Sequence, residues 1–148
     1  MKYVEALQEY DGKEKSIFMA GPITHAPDWQ SSIVELLKDT DLVLLNPRRK
    51  DFPINDLAAA EEQVRWEYEH LRKASAISFW FSRETSSPIV LYELGAWSMK
   101  DKPIFVGIDI GYLRRADVEI QTRLARPEVK IVYSMEALAD QIKEFAKK

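Results

Sequence analysis

The sequence predicts an α/β fold: a doubly wound, flavodoxin-like five-stranded parallel sheet with helices on both faces. Three observations carry it. Short apolar runs alternate along the chain with longer segments of helical periodicity. The runs are continuously apolar rather than alternating, as strands covered on both faces should be. The first two stop at strong turn signals, Gly21-Pro22 and Asn46-Pro47.

Taken in order, residues 1–15 are polar and mixed and read as an arm or a short extra strand. Residues 16–20 form the first run. Asp28 can cap a helix over 29–38, with Ile33, Leu36 and Leu37 inward. Residues 42–45 are the second run, followed by an extended loop over 48–55. A long helix over 56–73 is rich in Ala, Glu, Gln and Leu. Residues 76–81 are the third run, and Pro88 suits the first turn of a helix reaching Met99. Residues 104–107 are the fourth run, 109–128 a polar loop with a short helix, and 130–133 the fifth run. A closing amphipathic helix over 135–147 turns Leu138, Ile142 and Phe145 inward. In such sheets ligands bind beyond the carboxyl ends of the strands, which selects the loops after each run.

A chain of 148 residues with these proportions is expected to form one domain, spanning 1–148. The net charge of −3 argues against nucleic-acid backbone binding. The lack of cysteine excludes thiolate chemistry and disulfides and suits a reducing cytoplasm. Two histidines argue against a His-rich metal site. No apolar run approaches the ~20 residues of a membrane helix, and the N-terminus lacks a signal-peptide pattern.

Two carboxylates stand out. Glu93 lies in an apolar helix with Ile89, Ala96 and Trp97 on its face. A charge there is costly to bury, so Glu93 needs a polar cleft or a partner. Glu67 falls in the stripe Leu57, Ala60, Val64, Glu67, Leu71 of the preceding helix. Two inward carboxylates flanking one strand suit chemistry at an anomeric carbon; each equally suits an ion pair with an inward Arg. Around them, Gly21 and Pro22 offer close backbone approach or a plain turn. Asn46 and Arg48 offer contacts to a base, sugar or phosphate, or a solvated loop. Ser86 and Ser87 offer hydroxyls beside the free amides of a helix start, or an ordinary cap. Trp66, like Trp29 and Trp80, offers a stacking surface or core packing.

Together these residues resemble the nucleoside 2-deoxyribosyltransferase family, over residues 16–108. The resemblance rests on Ile17-Phe18-Met19-Ala20-Gly21-Pro22, on Tyr92-Glu93-Leu94-Gly95 followed by Lys102-Pro103, and on the Asn46-Pro47-Arg48-Arg49 and Trp66-Glu67 elements of the transferase-like branch. It implies that Glu93 is the nucleophile of a double displacement at C1′, with a covalent glycosyl-Glu intermediate. It also implies that Glu67, 26 positions earlier, stands where the family has an Asp. The implied ligands are a nucleoside or nucleotide and a free nucleobase. No metal or organic cofactor, nucleic acid or membrane is implied, and a homo-oligomer is expected.

Two departures open alternatives. Ser87 stands six positions before Glu93, where the transferases have Asp and related nucleotide hydrolases a phosphate-contacting Ser. The family's downstream Asn, supplied by a neighbouring subunit, has no counterpart beyond Asn55, which leaves Asp117 or Gln121. A nucleoside 5′-monophosphate N-glycosidase and a non-catalytic nucleotide-binding module are therefore the competing readings. The helix dipole is expected to favour the ionised form of Glu93.

Overall fold

The computed structural model describes residues 1–50 and 55–148, so part of the loop expected over 48–55 lies outside the described residues. Five strands form one parallel sheet: β1 (Lys2–Glu5), β2 (Ser16–Ala20), β3 (Val43–Asn46), β4 (Ala76–Phe81) and β5 (Ile104–Ile108), in the order β1-β3-β2-β4-β5. Five helices connect and cover them: α1 (Trp29–Leu37), α2 (Leu57–Lys73), α3 (Pro88–Ser98), α4 (Arg115–Ala125) and α5 (Met135–Lys147). The α/β class, the parallel sheet and the flavodoxin-like winding are as expected. Among the described residues, no helix is long and apolar enough to cross a membrane.

Strands β2 to β5 bury both faces, while β1 stays half exposed, and alternate residues feed two cores. Ile17, Met19, Leu44 and Trp80 meet Trp29, Ile33 and Leu37 of α1 and Leu138 and Ile142 of α5. Phe18, Leu45, Phe79 and Val106 meet Trp66 of α2, Leu94 and Trp97 of α3 and Val118 of α4. Each fully buried aliphatic or aromatic side chain contributes roughly 1.5–3 kcal/mol.

Three elements differ from the sequence expectation. The run at 130–133 is not a strand: Val132 makes one isolated bridge to Gly107. Ser134 already caps α5 by accepting from the Ala137 amide, so a ladder has no length in which to form. The fifth strand is the N-terminal β1, seated beside β3 and held there by the Asn46 amide donating to the Tyr3 hydroxyl at 2.7 Å. Residues 115–125 form a full helix, α4, where a polar loop with a short helix was expected. Val118 and Thr122 give it a narrow buried face, and Glu119 bridges Arg115 and Arg123.

The third difference is the phase of α2. Leu57 and Val64 are 88% and 63% exposed. The buried face is Ala59, Gln63, Trp66, His70 and Leu71, turned by about one residue from the expected stripe. The Trp66 indole explains this rotation. It packs on Phe18 and stacks on His70, with ring centroids 4.0 Å apart in the stack, and it buries more area than Val or Leu could.

Candidate active site

Glu67 and Glu93 sit at the edge of the same core, both half-buried, on α2 and α3. Their local helices place them. Asp56 caps α2 by accepting from the Ala58 and Ala59 amides. Pro88 opens α3, where its missing N–H costs nothing. The two carboxylates are close enough to interact. Burial pushes Glu93 up to about 8, and the neighbouring Glu67 charge adds to the rise. Burial also raises Glu67, against a hydrogen bond from Gln63 that favours its ionised form. Desolvation and a like charge therefore oppose the expected effect of the helix dipole and favour the protonated form of Glu93.

Gln63 escaped the sequence reading, although it lies four residues before Glu67 and so shares its face. Its Nε2 donates to Glu67 Oε1 at 2.9 Å and to the Pro47 carbonyl at 2.7 Å. The loop after β3 is thereby fastened to the helix that carries Glu67.

The other predicted residues fall into two groups. Ser86 and Ser87 lie at the start of α3. Ser87 is buried and adopts φ +52° at the cap position, and its hydroxyl has no hydrogen-bond partner. That left-handed backbone costs a non-glycine residue on the order of 1 kcal/mol or more. The turn is held by the Tyr112 hydroxyl, which donates to the Ser86 carbonyl at 2.6 Å. Ser82, at the carboxyl end of β4, is a second buried hydroxyl without a partner, and its place directly after a strand could have marked it.

The second group is committed to the scaffold. The Trp29 ring fills the space in front of Gly21, where an added Cβ would lie 2.1 Å from Trp29 Cζ2. The Pro22 carbonyl accepts from the Trp29 indole at 3.0 Å. Asn46 is buried; besides donating to Tyr3, it accepts from the Arg48 amide. Arg48 donates through Nε to Gln30 and through one Nη to the carbonyls of Ile23, Ala26 and Pro27. It therefore ties the loop after β3 to the loop after β2. Trp66 lies in the core with its N–H donating to the Gln8 carbonyl. Asp117 and Gln121 line a groove of about 550 Å³ between α3 and α4, facing Gly95 and Met99.

No curated protein sequence matches the chain. Among solved structures, it is similar to a 2-deoxyribosyltransferase from Bacillus psychrosaccharolyticus, with a TM-score of 0.64 and 14% identity over 84% of this chain and 90% of that one. It is also similar to a conserved protein from Enterococcus faecalis V583, with a TM-score of 0.67 and 18% identity over 89% and 99%. At such identities these likenesses speak for the fold. The family model described as "Nucleoside 2-deoxyribosyltransferase like" matches residues 14–112, a span that holds β2 to β5, both carboxylates and the Ser86-Ser87 turn. The chain belongs to the nucleoside 2-deoxyribosyltransferase-like family.

Proposed function

We propose that the protein cleaves the N-glycosidic bond of a (deoxy)nucleoside and transfers the sugar to another base, with Glu93 as nucleophile and Glu67 as proton carrier. The observation that carries this reading is the half-buried Glu67–Glu93 pair, in which desolvation and the Glu67 charge favour the protonated form of Glu93. Two interacting carboxyl groups favour keeping one proton between them over ionising both. On substrate binding, the Glu93 proton passes to Glu67. The Glu93 carboxylate attacks C1′ as the C–N bond breaks, and Glu67 gives its proton to the departing base nitrogen. The products are a free base and a glycosyl ester on Glu93. An incoming base then loses its N–H proton to Glu67 while its nitrogen attacks C1′ and releases the Glu93 carboxylate. The proton then passes back from Glu67 to Glu93, and proton and charge are where they started.

A second reading, hydrolysis of a nucleoside 5′-monophosphate, is favoured by one observation. Ser87 presents an unpartnered hydroxyl at the start of α3, where helix amides suit a phosphate. Incubation with a panel of deoxynucleosides, ribonucleosides and their 5′-monophosphates, with and without a free acceptor base, separates the readings. The expected outcome is base exchange from a deoxynucleoside, lost by at least about 10³-fold in Glu93→Gln. Base release confined to the monophosphates would replace transfer with hydrolysis. Ligand binding without either reaction would leave a binding module.

The protein is further proposed to work as a dimer or larger homo-oligomer. Ile89, Tyr92 and Met99 of α3 are 62%, 79% and 80% exposed, and Leu113, Ile120 and Leu124 lie exposed in and before α4. So much apolar side chain on adjoining helices is the mark of a contact surface. It also brings Asp117 and Gln121 to a place from which a neighbouring copy could receive them.

A further inference from the structure

We propose that Gln63 is a positioning residue for the carboxylate pair: anchored on Pro47, its amide fixes the resting charge on Glu67 and leaves the shared proton on Glu93. This rests on the N-glycosyl reading for its catalytic meaning, though not for its geometry. The amide has two acceptors before it, the Pro47 carbonyl at 2.7 Å and Glu67 Oε1 at 2.9 Å. Only the NH₂ group can satisfy both, since a flipped amide would set oxygen against two oxygens. The cost is visible in Gln63 Oε1, which is buried without a partner. A residue that leaves one polar atom unpaired to hold another in place is committed to that orientation.

The two carboxylates are therefore unequal. Glu67 is offered an N–H donor, which favours its ionised form, whereas Glu93 is governed by burial and by the Glu67 charge. Burial, the Gln63 amide and the Glu67 charge are what act on the pair's protonation. In the catalytic cycle the inequality has two consequences. The nucleophile rests capped by a proton until substrate reorganises the pair. And Glu67, once protonated, is the stronger acid of the two, suited to give its proton to the leaving base.

The test is an NMR titration of isotope-labelled glutamate carboxyls, with the two resonances assigned by Glu67→Gln and Glu93→Gln. Glu67 is expected to ionise first and Glu93 second. In Gln63→Met, which keeps the length and removes the donor, the Glu67 midpoint should rise by about one pH unit, with the Glu93 midpoint falling. The acid limb of the kcat/KM profile should follow. Unchanged midpoints in a folded Gln63→Met protein would overturn the proposal. The wild type supplies a reading that needs no variant: the Gln63 side-chain amide resonance should move with the Glu67 midpoint, and tracking of the Glu93 midpoint would overturn it equally. These titrations need no turnover, so they stand or fall apart from the assignment of the reaction.

Discussion

Glu93 carries a conflict between stability and chemistry that one substitution exposes. Its folded form favours the proton, because burial and Glu67 lift it to about 8 from an ordinary carboxyl value. The folded protein thus binds more protons than the unfolded chain between those values, and stability falls as pH rises across that window. Glu93→Gln removes the ionisation while keeping the shape. Thermal melts should show the variant close to wild type near pH 5, and more stable near pH 9 by roughly 5 °C or more. A melting point unchanged at high pH would mean that Glu93 is well solvated. That this residue stands apart was legible in the sequence, because a lone carboxylate in an apolar helix is an anomaly wherever it occurs. Its protonation state was not, since that depends on the approach of a second helix. Gln63 shows the complementary gap. Its place relative to Glu67 was readable from spacing, but its worth comes from the Pro47 carbonyl, sixteen residues away in sequence.

At the scale of the element, α2 does two jobs on one face. Its middle presents Gln63 and Glu67, and on the same helix Trp66 and His70 are buried against Gln8 and Tyr10 of the N-terminal segment. His70 Nδ1 is bonded to the Trp66 carbonyl, while Nε2 is buried without a partner. Burial holds the imidazole below its usual range, against smaller opposing effects from the Trp66 carbonyl and from Glu69 and Glu9. The unfolded chain therefore takes up a proton that the folded one resists. Stability is full above the ordinary imidazole value and falls as pH drops through the window beneath it. Urea unfolding at about pH 7.5 and about pH 5.5 should show this loss in the wild type and a flatter response in His70→Gln. An equal loss in both would assign it to other groups. The helix itself was legible from composition, but its phase was not. Counting apolar positions gave Leu57 and Val64 the weight of core residues, and a single indole packed on Phe18 outweighed both. Elements set by local signals, such as the Asp28 cap and the Pro88 start, lie close to where the sequence places them.

For the whole molecule, the sheet and the two cores account for the fold, and the exposed apolar side of α3 and α4 is the surface on which the proposed contact between copies rests. Tyr92, 79% exposed, touches little within the chain, so Tyr92→Glu should leave the monomer's fold intact. Sedimentation is expected to give a dimer or larger species for the wild type and a monomer for Tyr92→Glu. A monomeric wild type at working concentration would remove the interface from the account. The winding order was legible because alternating runs and helices admit few arrangements. The edge at β5 was legible as the run 104–107, whereas the other edge was legible only as an arm or short extra strand over 1–15 and the run 130–133 was taken for the fifth strand, because runs of four residues compete for a place on weak local signals. That competition has an outcome in time. Among the described residues the ladder partner of β1 is β3, which begins at Val43. Residues 2–5 leave the ribosome before that partner and can pair only once β3 has followed. β2 holds the opposite edge of β3, so a strand made before the centre of the sheet closes its rim.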